Sequence, residues 1–341
     1  MITKKMQNKI SHLFLDGSDL ADREEEVLKD ASKRTGFIPK KLMDRSSWWT
    51  SKEIGAFRYV GIYKGKKAVL KIQGVKPNTS EIYMINAFKK ANKSKILRPP
   101  HLYAFLPWDE EKKYEALILE FVDGKKIVNN PTNENELAEF FYLYKEYRKN
   151  CCLNPWIDKP EKSLSEEVKI NFEKWRQARL KLYPIHPFFQ KGDEELINQS
   201  ENLLAKNYEG VEPLFQHGHF SANDLYKISG NEVVILSNLY WSWKPPFYDA
   251  VFGQHWFIYH LAEVPNINPE IVEEQRSLWF SKINNLVTSQ EDRKLLNLAL
   301  LERAAAGLNL DVLSIDPKNP LANYLVNMTR NQVIALIKKV V

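Results

Sequence analysis

The stretch HGHFSANDLYKI (217–228) places two histidines around a glycine, brings an aspartate in behind them, and leads directly into NEVVILS (231–237). That second run is a short β interruption in a half of the chain that otherwise reads as helix. After it come the aromatic cluster LYWSWKPPFY (239–248) and the helical segment AVFGQHWFIYHLA (250–262). A polar loop, a hairpin strand and a helix in this order fix how the surrounding sequence is read.

On both sides of this loop the helical pattern is regular. ELAEFFYLYKEYRKN (136–150) is one helix; Ser163 and Glu166, at capping-box spacing, open a second that carries Val168, Phe172 and Trp175. Segment 192–206 is a third, a long helix is opened by Asn268 and Pro269, and a last one runs to the C-terminus. The first part of the chain has a different texture. EIGAFRYVGIY (53–63) and KAVLKI (67–72) alternate around the turn KGK and read as a hairpin. Segment 76–92, with capping residues at Asn78 to Ser80, puts Ile82, Ile85 and Phe88 at helical spacing; 101–109 and 113–122 read as two further strands. An earlier helix, 21–34, ends at Gly36 with Pro39 beyond it. The expected class is α+β, with a helical extension over 1–45, a small β-rich lobe over 46–122 and a larger helical lobe over 123–341.

Composition narrows the function classes. Of 341 residues, 44% are apolar and 27% charged, an ordinary globular balance, and the length suits two domains or one two-lobed unit. The net charge of +6 arises from interspersed residues without a basic tract, which argues against nucleic acid as a partner. Cys151 and Cys152 are adjacent and read as reduced thiols at a helix end. No run approaches the ~18 apolar residues that span a bilayer. Ile2, Met6, Ile10, Leu13 and Phe14 share one helical face, but the run is too broken for a secretory signal, so a cytoplasmic location is expected.

The order of a β-rich lobe, a connecting strand and a helical lobe interrupted by a loop and hairpin strand resembles the protein-kinase-like fold, and within it the aminoglycoside phosphotransferase and choline kinase branch. There the loop reads HGDLHPGNIL, a strand ending in Asp follows, and then a proline-aromatic-Asp element. Here the same order reads HGHFSANDLY, EVVILSNLYWSW and PPFYDAVF. Aligned on His217 and Gly218, the resemblance puts His219 in the place of the catalytic aspartate, Asp224 in that of a metal-binding asparagine and Ser237 in that of the metal-binding aspartate. Asp249 takes the place of the family's structural aspartate. AVLK (68–71) resembles the strand whose lysine contacts the ATP phosphates, which makes Lys71 a nucleotide-binding candidate with Glu81 as its ion-pair partner. Leu119, Glu120, Phe121 and Val122 would form the hinge, whose backbone groups hydrogen-bond an adenine. The glycine-rich loop is weak, with only Gly55 in WTSKEIGAFRY.

The three departures decide what chemistry to expect. Phosphoryl transfer asks for magnesium on the phosphate oxygens and an acceptor for the hydroxyl proton. Ser237 offers a neutral hydroxyl where a carboxylate belongs, and a carboxylate ~4 Å from a cation is worth about 4 kcal/mol per unit charge at a surface-like dielectric. Asp224 restores one negative charge as the sole candidate metal carboxylate, from the other side of the site. His219 as a neutral imidazole is a respectable general base. His217 reads as a packed loop histidine bonded to backbone. A zinc site from His217 and His219 lacks further ligands, because His255 and His260 lie five residues apart on the next helix. The aromatic cluster reads as packing more than as a ligand platform.

The expectation is a kinase-fold protein with a degenerate catalytic centre, a pseudokinase that binds ATP, another nucleotide, a small molecule or a partner, with magnesium weak or absent. The alternative is an active ATP-dependent small-molecule phosphotransferase with His219 as base and Asp224 on the metal. A protein partner and a substrate are not legible.

Overall fold

The computed structural model describes residues 20–47, 54–74, 76, 79–228 and 230–341. The helical face from Ile2 to Phe14 and the cap at Asn78 lie outside the described residues. The chain divides into two compact units, residues 1–90 with 98–124 and residues 91–97 with 125–341.

The first unit is an antiparallel sheet with two helices. Helix α1 (Leu20–Thr35) leads into strand β1 (Ile38–Ser47), followed by β2 (Ile54–Tyr63), β3 (Lys66–Gln73) and helix α2 (Glu81–Ala91). Strand β4 (Leu97–Arg98) sits at the boundary of the units, and β5 (Leu102–Asp109) and β6 (Tyr114–Glu120) complete the five-stranded sheet, ordered β1-β2-β3-β6-β5. Lys64 and Gly65 both take positive φ, 48° and 76°, so the turn twists with its strands as a two-residue hairpin requires. Alternation along β3 sends Ala68, Leu70 and Ile72 into a core shared with Val27 and Ala31 of α1 and with Phe57, Tyr114 and Ile118. Each large aliphatic side chain buried there contributes about 1.5–3 kcal/mol. The opposite parity brings Lys71 level with Leu117 of β6, and Leu117 packs with Ile82 and Ile85 of α2.

Of the helical extension expected over 1–45, the described residues 20–45 belong with the sheet. The sheet reaches back to Ile38, so that β1 crosses residue 45, and α1 packs its Val27 and Ala31 into the sheet's own core. β1 was hidden because IPKKLMDRSS lacks the alternation that marks a half-buried strand. It is an edge strand with register shifts between Pro39 and Lys41, Leu42 and Asp44, and Ser46 and Ser47. Gly61 makes the pairing possible, since a Cβ there would lie 2.2 Å from the Ile38 carbonyl oxygen and 2.5 Å from the Phe37 ring.

The second unit is mainly helical. Its long helices are α3 (Glu134–Asn150), α4 (Leu164–Leu182), α5 (Lys191–Asn207), α6 (Tyr248–His260), α7 (Pro269–Asn284), α8 (Gln290–Asn309) and α9 (Ala322–Val340). Asn133 caps α3, Ser163 and Glu166 form the expected capping box on α4, and Asn268 with Pro269 opens α7. Short strands interrupt the helices: β7 (Lys125–Lys126), β8 (Leu214–Gln216), β9 (Leu225–Lys227), β10 (Val233–Ile235) and β11 (Ser242–Lys244). β9 and β10 pair antiparallel, which is the hairpin expected behind the 217–228 loop, and β11 pairs with β8.

Helix α8 is buried along most of its length and carries charge into the core. Its Arg303 meets Asp311 at 2.6 Å, and His255 of α6 reaches the same carboxylate oxygen at 2.6 Å. Burial first, then the Arg303 charge, push the His255 pKa down to about 4, so His255 is neutral and structural. Among the described residues no helix is long and apolar enough to cross a membrane.

Candidate functional site

The candidate residues fall into two groups, one in each unit. In the sheet unit, Lys71 donates to the Glu81 carboxylate, and both side chains are buried. A buried ion pair stands only where the geometry repays the loss of water, and Glu81 at the first turn of α2 gains as well from the helix dipole. Behind the pair lies an acid the sequence reading missed. Glu115 of β6 is buried, accepts from Ser80 Oγ at 3.2 Å, and has a second oxygen, Oε1, with no hydrogen-bond partner. Burial, and to a lesser degree the charge of Glu81, push its pKa above the usual carboxylate range. It could have been found from strand parity, because Glu115 pairs with Gln73 two residues along β3 from Lys71.

The hinge candidates lie at the end of β6. The Glu120 carboxylate is gripped by the Arg98 guanidinium through two contacts, 2.6 and 2.8 Å, and its backbone N–H donates to the His101 carbonyl at 2.9 Å. Its side chain and its backbone N–H are thus both committed within the sheet unit. Leu119 pairs with Val69 of β3 and with Leu102 of β5. Phe121 lies under the Lys67 ammonium at 3.5 Å, and Val122 follows in irregular backbone.

In the helical unit the loop 217–228 is anchored from behind. Asp249, fully buried near the start of α6, accepts from the Tyr147 hydroxyl at 2.7 Å and from the Gly218 N–H at 3.3 Å; the same hydroxyl accepts from the His217 N–H. One carboxylate therefore fixes the Gly218 amide directly and the preceding His217 amide through the Tyr147 hydroxyl. Gly218 is required at this point. Its φ is +74°, and a Cβ would stand 2.5 Å from the Tyr240 carbonyl oxygen.

His217 is buried beneath this anchor, and its ring packs edge-on against Trp241 with centroids 5.0 Å apart. The expected bond from its ring to backbone is not made at hydrogen-bonding geometry: the Leu236 main chain approaches, but neither ring nitrogen has a partner among the described residues. Burial pushes its pKa below the ordinary histidine value.

His219, Asp224 and Ser237 are brought together. The His219 Nδ1 lies 2.8 Å from Asp224 Oδ2, the Ser221 hydroxyl donates to the same oxygen at 2.5 Å, and the Ser237 hydroxyl donates to Oδ1 at 2.5 Å. The carboxylate of Asp224 is 8% exposed and carries all three contacts. Burial opposes its charge, but His219 and then the two hydroxyls outweigh that and hold its pKa down at about 2. For His219, burial also opposes the charge, and Asp224 overrides it and raises the pKa above the ordinary value. Each partner thus favours the charged form of the other. The His219 ring is stacked on Tyr240, centroids 4.6 Å apart, and leans on Phe252 at 4.9 Å.

Local backbone explains the convergence. Ser221 begins the short turn of 3-10 helix Ala222–Asp224, which curls the Asp224 side chain back onto its own loop. Ser237 sits in the left-handed region at φ 58°, ψ 37°, a conformation that costs a non-glycine residue about 1 kcal/mol and that aims its hydroxyl at Asp224. The next turn is pinned by the Asn238 side chain, which donates to Ile235 O at 2.9 Å and accepts from Trp241 Nε1 at 3.2 Å. The rest of the aromatic cluster packs: Trp241 is buried against Trp156 and Phe215, and Trp243 donates to the Ile157 carbonyl at 3.0 Å. Ser221, Tyr147 and Tyr240 were not anticipated. Ser221 had a local signal, a serine three residues ahead of an aspartate in a loop, whereas Tyr147 on its helix had none.

Among the described residues no cluster of three or more His, Cys, Asp or Glu side chains is placed to hold a metal. His255 is engaged with Asp311, and His260 Nδ1 lies 3.1 Å from the Asn223 side chain.

No protein-family model matches the sequence, and no curated protein matches it at significance. Solved structures do. The aminoglycoside phosphotransferase APH(4)-Ia superimposes with a TM-score of 0.58 at 12% identity, over 92% of this chain and 98% of that one. An amicoumacin kinase in complex with AMP-PNP and Ca2+ gives 0.60 at 12% identity, over 95% of this chain and 96% of that one. Choline kinase from Cryptosporidium parvum Iowa II gives 0.56 at 13% identity, over 92% and 97%. The chain has the protein-kinase-like fold of the aminoglycoside phosphotransferases and choline kinase. It is an α+β chain with a β-rich N-terminal sheet and a helical C-terminal part, as the sequence resemblance implied. At these identities the likeness establishes the kinase-like fold, and the chemistry must be argued from the side chains.

Proposed function

We propose that this kinase-fold protein is a pseudokinase: it binds a nucleotide, or a small molecule in its place, and does not transfer phosphate through a magnesium ion. The observation that supports this most strongly is the occupancy of Asp224. Its two oxygens serve His219, Ser221 and Ser237, so the one carboxylate available to a metal is already an internal counter-ion. Magnesium prefers hard oxygen donors, and usually one or two carboxylates. Here the candidate donor set sums to one carboxylate already paired with the His219 ring, plus a neutral hydroxyl, and it does not fit a divalent ion. A proton-acceptor role for His219 meets a similar obstacle, because the Asp224 carboxylate favours the protonated ring, the form with no lone pair to accept a hydroxyl proton.

The nucleotide half of the proposal rests on the Lys71–Glu81 pair, the arrangement that positions an ATP-contacting lysine in kinase folds. Structural neighbours have been captured with ADP and AMP-PNP, which makes adenine nucleotides the first ligands to examine. Other neighbours are kinases of amicoumacin and choline, so a hydroxyl-bearing small molecule is the ligand class of the active alternative. One observation favours that alternative: Asp224 holds His219 by Nδ1, which is how an aspartate orients an imidazole so that Nε2 can act as a base once the ring is neutral.

Turnover separates the two. The purified chain incubated with ATP, magnesium and a panel of hydroxyl metabolites should yield no phosphorylated product between pH 6 and pH 9. Product formation that rises with pH through the His219 titration and disappears in His219→Ala and Asp224→Ala would establish the active reading.

A further inference from the structure

Away from the loop 217–228, helices α7, α8 and α9 leave a groove of about 770 Å3 between them. The volume lies in the range of metabolite-binding sites, roughly 300–1,000 Å3. Its floor is apolar, with Phe280, Leu300 and Leu336. The walls carry amides and cations. Asn297, Asn331 and Gln332 face the groove, and their side chains have no hydrogen-bond partner among the described residues, although Asn297 and Gln332 are half-buried.

The groove is polarised along its length. At one end Tyr324, in the first turn of α9, donates to Glu273, in the first turns of α7; Arg276 closes the same carboxylate with contacts of 2.8 and 2.7 Å. Glu273 is thereby neutralised, while Arg276 Nε stays enclosed without a partner. The Tyr324 contact also sets the starts of α7 and α9 side by side. At the far end Arg293 of α8 donates to the Asn284 side chain, at the end of α7, at 2.5 Å. Lys339 lies fifteen residues beyond Tyr324 on α9, about 22 Å along the axis, and so arrives at the Arg293 end. Neither Arg293 nor Lys339 has an ion-pair partner among the described residues. Two uncompensated cations therefore close one end, unpartnered amides line the middle, and an apolar floor runs beneath.

We propose that this groove binds a small phosphorylated sugar. Amide side chains both donate and accept, which matches hydroxyls that do the same. Apolar groups suit the C–H face of a sugar ring, and an Arg–Lys pair suits a phosphate. No residue of the groove belongs to the His219–Asp224–Ser237 network or to the Lys71–Glu81 pair.

The test is calorimetric titration of the full chain with glucose 6-phosphate, glucose and inorganic phosphate. Glucose 6-phosphate should bind saturably, and glucose and inorganic phosphate each at least tenfold more weakly. The R293E/K339E double variant should lose at least tenfold in affinity for glucose 6-phosphate while its circular dichroism is unchanged, and Asn297→Leu should weaken the sugar phosphate without altering the response to inorganic phosphate. The proposal is overturned if no probe binds saturably, if inorganic phosphate binds as tightly as the sugar phosphate, or if a folded R293E/K339E variant binds as the unaltered chain does.

Discussion

Asp224→Ala should lower folding stability by about 3–5 kcal/mol, the usual loss when one partner of a buried ion pair is removed. The alanine leaves the His219 imidazole, the Ser221 hydroxyl and the Ser237 hydroxyl without their acceptor. Part of the effect is electrostatic and its pH dependence has a definite sign. Asp224 is held at about 2 from an ordinary 3.8, a difference worth about 2 kcal/mol. A depressed acid stabilises above its unfolded pKa and loses that contribution as pH falls through the folded one, so the gap between the unaltered chain and Asp224→Ala should narrow between pH 4 and pH 2. Urea midpoints across that range give the measurement. Asp224→Asn, which keeps an acceptor oxygen, should lose less. If Asp224 existed to hold a metal, its removal would leave the metal-free protein as stable as before; a change within 1 kcal/mol for Asp224→Ala would count decisively for that role.

The second large effect is expected from Ser237→Asp, which returns to the site the residue type that the resembling family carries there. The new carboxylate would replace a hydroxyl that donates to Asp224 Oδ1 at 2.5 Å, putting two like charges about 4 Å apart in a half-buried place. Repulsion of that kind costs about 4 kcal/mol at an effective dielectric of 20. Backbone strain does not add to it, because aspartate is among the non-glycine residues best tolerated in the left-handed conformation held at residue 237. The variant should melt well below the unaltered chain without magnesium and recover most of the difference in millimolar magnesium, which would neutralise the pair. A Ser237→Asp protein as stable as the unaltered chain in the absence of metal would mean that the Asp224 carboxylate is not held where the His219–Ser221–Ser237 network places it.

Much of this was written legibly in the sequence. Capping residues announced the helices at Ser163 and Asn268, and the hairpin at Lys64–Gly65 was readable because positive φ selects a short list of turns. The loop-strand-helix order around His217, Gly218 and Asp249 carried the fold, since those residues serve backbone geometry: a glycine that only glycine can replace, and a carboxylate that binds one loop amide directly and the next through the Tyr147 hydroxyl. β1 escaped because an edge strand with bulges needs neither alternation nor apolar residues. The relation among His219, Asp224 and Ser237 escaped for another reason. Each was read singly as a departure at a chemical position, and nothing in the spacing says that the three substitutions satisfy one another. Ser221, the third donor, shows the same limit, because a hydroxyl's partner is set by how a turn curls. Glu115 lay within reach of strand parity, but parity gives a face and not the depth at which the face is buried.

The direct test of the central claim, that Asp224 serves as an internal counter-ion and not as a metal ligand, is a calorimetric titration of adenine nucleotide into the chain with and without magnesium. The account predicts binding that is lost in Lys71→Met and whose affinity changes less than threefold when magnesium is added. A tightening of tenfold or more with magnesium, abolished by Asp224→Asn, would contradict it.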